Sequence, residues 1–153
     1  MRYLLLAALL VLATLLPLTS CGPKPTTLED FPTRPITLPG GQILHVEMEI
    51  SNFELLRGLM FRTSLAPDRG MLFVYPKPDH YQTWMYQTLI PLDIIWMDSS
   101  RRIVALDENA PPCKTQASKC PKYGGKMISA YALEIGGGMA RKYRLHLGQT
   151  IQW

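Results

Sequence analysis

Leu44-His45-Val46-Glu47-Met48-Glu49-Ile50 sets apolar side chains against ionisable ones at every step. Successive residues of a strand point to opposite faces, so a period of two predicts a strand with one buried and one wet side. Further along, Met71 to Val74 and Tyr81 to Met85 read as strands separated by Pro76-Lys77-Pro78-Asp79. Leu92 to Met97 and Arg102 to Leu106 read as a hairpin turned by Asp98-Ser99-Ser100-Arg101, whose short polar side chains bond their own backbone. Tyr131 to Ile135 and Ile151 to Trp153 are two further strands, and residues 109–126 are a long loop rich in proline, lysine and glycine. Helical signals are few. Ser51-Asn52-Phe53-Glu54 has capping-box spacing and predicts a short helix to about Leu59, with Phe53, Leu56 and Met60 on one face. Gly136-Gly137-Gly138 precedes a helical turn. Many short strands with one or two brief helices predict a mainly β or α+β domain, built as a small barrel-like antiparallel sheet.

Upstream of this pattern stands a different kind of segment. Arg2 is followed by an aliphatic run from Leu4 to Leu16 and then by Leu18-Thr19-Ser20-Cys21. Thirteen helical residues rise only about 20 Å, short of the roughly 30 Å of a hydrocarbon core. A positive start, a short apolar stretch and small residues before a cleavage point make a removable secretory signal, residues 1–20. The tetrapeptide resembles a bacterial lipobox, which implies lipidation of the Cys21 thiol. Residues 21–36 hold Pro23, Pro25, Pro32 and Pro35 and read as an extended tether. Residues 37–153 are then a single globular domain on the outer side of a membrane, anchored through the lipid.

Charge and cysteine content narrow the partners. Removing residues 1–20 takes away one basic residue and leaves a side-chain balance of +3, against +4 for the whole chain. That is too little to point to nucleic acid, where many phosphates must be neutralised. With Cys21 assigned to the lipid, Cys113 and Cys120 remain, and outside the cytoplasm a lone pair is most simply a disulfide. Their spacing is not that of a zinc site.

Five blocks then fall in order: Arg57-Gly58-Leu59-Met60-Phe61-Arg62, Gly70-Met71-Leu72-Phe73, Thr83-Trp84-Met85-Tyr86-Gln87-Thr88, Pro91-Leu92-Asp93-Ile94-Ile95-Trp96 and Leu133-Glu134-Ile135. Together they resemble the signature of the prokaryotic family called domain of unknown function 192. The resemblance implies a β-rich fold over about residues 40–153 and no established activity. In the third block the chain departs from the family pattern, with Thr83 where an aromatic is usual and Gln87 where asparagine is usual.

Charged or aromatic residues set into these apolar blocks are the candidate site. Arg57, Arg62, Trp84, Asp93 and Glu134 would suit a polar ligand such as a glycan, or an envelope protein, since tryptophan offers a flat stacking surface and arginine a fixed donor fork. The plain structural alternative is an Arg57–Asp93 or Arg62–Glu134 ion pair, because a buried charge needs a partner. Two rival functions stay open. Asp93 and Glu134 would be the carboxyl pair of a carbohydrate-active enzyme if they faced each other across a cleft. Met60, Met71 and Met85 with Trp84 would offer soft ligands to Cu(I). No nucleophile triad or metal-hydrolase motif is present, so catalytic residues go unassigned and no cofactor is called for.

Overall fold

The structure, a computed structural model, describes residues 32–51 and 56–153. The alternating segment becomes β2 (Ile43–Glu49), with Leu44 and Val46 buried. It pairs antiparallel with β1 (Arg34–Thr37) on one side and parallel with β3 (Arg69–Asp79) on the other. The hairpin forms as β5 (Leu92–Met97) and β6 (Ile103–Ala110). Its turn is held by the Asp98 carboxylate, which accepts the backbone N–H groups of Ser100 (2.8 Å) and Arg102 (3.0 Å). The long loop contains a 3₁₀ turn, Ala117–Lys119, and then β7 (Lys122–Gly124), which pairs with β4 (Gln82–Trp84) as a separate two-stranded ribbon. β8 (Ser129–Gly136) runs between β3 and β5, giving the sheet order β1-β2-β3-β8-β5-β6. The helical turn after the glycines is α1 (Met139–Lys142).

The fold is mainly β, as expected, but two features of the expected sheet are corrected. The sheet is not closed into a barrel, because β1 and β6 form its edges and do not pair. It is also not wholly antiparallel. Residues 50–68 between β2 and β3 give the dozen or more residues that a parallel crossover needs. The 149–152 segment is likewise not a full strand. It makes isolated bridges to both edges, Thr37 with Gln152 and Arg102 with Thr150.

Other boundaries move for local reasons. β3 runs on through Pro76 and Pro78, which lie in the exposed half of the strand where pairing with β8 shifts register and no ladder donor is needed. β1 takes in Pro35 and Ile36, the end of the expected tether, and Ile36 is buried in the core. The capping box Ser51-Asn52-Phe53-Glu54 lies largely outside the described residues, and Leu56 is exposed instead of joining an apolar face.

Both faces of the sheet are covered, and each has its own core. On one, Leu44, Val46, Leu72, Ile95, Leu133 and Ile135 pack with Ala140 of α1 and with Leu145 and Ile151. On the other, Met71, Phe73, Ile94, Trp96 and Ala132 pack under Leu59 and Met85. Strand parity therefore decides which buried polar residue belongs to which layer.

Candidate functional site

On the second face the sheet carries Glu134, between Met71 of β3 and Ile94 of β5 in register. Above it, residues 56–62 and the β4–β7 ribbon leave an open cleft of about 250 Å³. Arg57, Gly58, Phe73, Thr83, Trp84 and Lys122 line it, with Glu134 at its base.

Each wall is fixed by identifiable contacts. Arg62 does not meet Glu134. It forms a two-pronged ion pair with Glu47 of β2, at 2.6 and 2.5 Å, and so ties the 56–62 segment to the sheet. The Phe61 N–H donates to the Gln87 carbonyl (2.8 Å), joining the same segment to the chain beyond β4. Gly58 has φ +48°, and a Cβ there would lie 3.1 Å from the Phe73 ring and 4.0 Å from the Glu134 carboxylate. The positive φ favours glycine, and a side chain here would press on the Phe73 ring. The ribbon is held differently. Gly124 lies on the Trp96 ring, where a Cβ would collide with it, and the Trp96 indole N–H donates to Asp107 (2.8 Å). Cys113 and Cys120 form the expected disulfide. The Cys113 N–H donates to the Met85 carbonyl (3.1 Å), so the bridge joins the residue just after β4 to the chain two residues before β7. In this way Lys122 is brought opposite Trp84, its Nζ 3.8 Å from the ring centre.

Glu134 is 4% exposed, and among the described residues its single hydrogen-bond partner is the Thr83 hydroxyl, at a long 3.4 Å. Burial raises its pKa from 4.5 to about 7, and the Thr83 hydrogen bond offsets only part of that. The nearby Tyr75 hydroxyl is also pushed up, first by burial and then by the charges of Glu134 and Tyr81. Near neutral pH the base of the cleft therefore holds a carboxyl close to half protonated, able either to donate or to accept.

Of the five candidates read from sequence, Arg57, Trp84 and Glu134 converge here. Arg62 serves the wall through Glu47, and Asp93 lies on the other face of the sheet. There the Asp93 carboxylate accepts N–H groups from Asn109 (2.7 Å), Gly138 (3.0 Å) and Ala140 (2.7 Å), stapling α1 to β5 and β6. Neither expected ion pair, Arg57–Asp93 or Arg62–Glu134, is among the salt bridges of the described residues. Asp93 and Glu134 are separated by the sheet and do not flank a common cleft as a glycosidase pair would. The methionine cluster is not assembled either. Met71 and Met85 are fully buried core residues, Met60 alone lines the cleft, and one face of Trp84 is covered by Lys122. Among the described residues no group of three or more His, Cys, Asp or Glu side chains could hold a metal ion. Sequence reasoning passed over Thr83, Phe73 and Lys122. Lys122 stood in what read as loop, and its only signal was its place two residues after Cys120.

The open, mainly β sheet belongs to a family described only as uncharacterized. Residues 36–153 match the family DUF192, described as an uncharacterized ACR, and the chain belongs to that family. A UPF0127 protein of Thermococcus gammatolerans is 29% identical over 111 residues, which cover 71% of this chain and 66% of the relative. A UPF0127 protein of Thermococcus kodakarensis is 29% identical over 117 residues, covering 74% and 68%. The chain thus spans about two thirds of the length of the curated relatives it matches. Among solved structures, a protein of unknown function from Novosphingobium aromaticivorans aligns with TM-score 0.74 and 29% identity, over 88% of this chain and 94% of that one.

Proposed function

We propose that this protein is a lipid-anchored domain of the cell envelope, held outside the cytoplasm through Cys21, that binds a glycan in the cleft without chemically changing it. The observation that carries the reading is Glu134. A carboxyl buried with one long hydrogen bond costs stability, and such a cost is typical of a functional site in a cleft. Around it, Trp84 gives a flat apolar surface, Thr83 and Gln82 give neutral donors and acceptors, and Arg57 gives a donor fork at the mouth. At about 250 Å³ the cleft falls below the roughly 300–1,000 Å³ of drug-sized sites, so it takes a single ring or a chain end. Among the described residues no second carboxyl lines it, which favours binding over glycoside hydrolysis. The signal-like residues 1–20 and the disulfide support an oxidising location.

The test has two parts. Wild type and Trp84→Phe are compared on an array of envelope glycans, with thermal unfolding measured alongside. Retention of a defined glycan by the wild type, weakened about tenfold in a variant that unfolds at the same temperature, supports the reading; an array with no retained glycan overturns it. For the anchor, mass spectrometry of the mature N-terminus should find lipid on Cys21, and Cys21→Ala should release the protein from the membrane fraction. An unmodified N-terminus overturns that part.

A further inference from the structure

We infer that the glycan carries a carboxylate, received between Arg57 and Lys122 against the Glu134 side chain. The inference rests on the ligand-binding reading above and names the class of ligand. Among the described residues the ion pairs are Arg62–Glu47, Lys77–Asp79 and Arg141–Glu108, and Arg57 and Lys122 belong to none of them. Both side chains are exposed and both line the cleft. Lys122 rests on the Trp84 ring, an arrangement that holds its charge in place without neutralising it. Among the described lining residues, two cations in no salt bridge outnumber the single carboxyl, which makes the cleft attractive to anions.

The groups facing Glu134 agree with this. β3 presents Tyr75, which burial keeps protonated, β4 presents Thr83, and β5 presents the apolar Ile94. Two strands away on β2, Glu47 is already neutralised by Arg62. Among the described residues no salt bridge reaches the carboxyl, so it is available as a donor near neutral pH. A carboxylate ligand drawn in by Arg57 and Lys122 would accept that proton in a hydrogen bond and disfavour its loss. Above neutral pH, binding must then take up one proton from solvent, and affinity falls as pH rises.

Three probes separate the parts: N-acetylmuramic acid, N-acetylglucosamine (the same ring without the lactyl carboxylate) and D-lactate (the carboxylate without the ring). Each is titrated into the full-length chain in detergent and followed by tryptophan fluorescence and chemical shifts. N-acetylmuramic acid should bind at least about tenfold more tightly than N-acetylglucosamine and lose up to about tenfold in affinity per pH unit above pH 7. Glu134→Gln should flatten that pH dependence. Arg57→Gln, an exposed change that leaves the fold alone, should weaken N-acetylmuramic acid about tenfold and N-acetylglucosamine hardly at all. Equal affinity for the two sugars overturns this inference and leaves the glycan reading standing. Lactate binding as tightly as N-acetylmuramic acid, with N-acetylglucosamine silent, supports the carboxylate and overturns the glycan. No binding by any probe overturns both, and affinity that is flat or rising with pH removes the protonated Glu134.

Discussion

Asp93 and Glu134 lie one residue out of step on adjacent strands and face opposite sides of the same sheet. Both are buried, yet their surroundings differ in kind. Asp93 accepts three backbone N–H groups and acts as a joint between β5, β6 and α1. Glu134 has one distant hydroxyl and opens onto solvent through the cleft. A buried carboxylate that collects N–H donors repays its desolvation, whereas one left with a single weak partner moves toward the neutral form. The first spends its bonding capacity on the fold, and among the described residues the second leaves most of it unused.

Three experiments bear on this contrast. The largest effect is expected at the joint. Asp93→Ala leaves three N–H groups, that of Ala140 buried, without their acceptor and should cost about 3 kcal/mol in urea unfolding. A loss under about 1 kcal/mol would mean that Asp93 is no more committed to the fold than Glu134. The second experiment should go the other way. The folded state keeps the Glu134 proton up to about pH 7 while the unfolded chain releases it near 4.5, so rising pH between those values favours unfolding. Glu134→Gln should therefore match the wild type near pH 4 and exceed it at pH 8 by on the order of 3 kcal/mol. Equal stability at both pH values would show that the carboxyl is satisfied after all. The smallest effect is expected from reducing Cys113–Cys120, which frees a short loop worth about 2.5 kcal/mol on the chain-entropy account. Its signature should be one-sided. The Trp84 and Lys122 resonances should shift while those of Asn109, Gly138 and Ala140 around Asp93 stay in place.

Alternation made the strands readable, since Leu44-His45-Val46-Glu47 can bury one side only as β structure. Direction was not readable, because a period of two is the same in parallel and antiparallel pairs, and the β2–β3 crossover went unseen. β5 hid its two faces for a related reason. Every residue from Leu92 to Met97 is buried, so nothing marks Asp93 as facing away from Glu134. Arg57 and Arg62 look alike in sequence, each a cation in an apolar block. Only the position of Glu47 in register with Met71 separates the wall's fastening from the cleft's free charge. Thr83, the departure from the family pattern, proved to be the hydroxyl that touches Glu134.

The bridges made by residues 149–152 bear on when this chain can fold. Thr37 exchanges both backbone hydrogen bonds with Gln152, and Ile103 donates to the Gln149 carbonyl, so one short segment closes off both edges of the sheet. Contacts so distant in sequence form late and slowly, because a long loop must be closed before they bring any gain. A ribosome that has not yet passed residue 152 holds a chain whose sheet edges are both still open. The β-structure is therefore completed only once residues 149–152 can reach both edges.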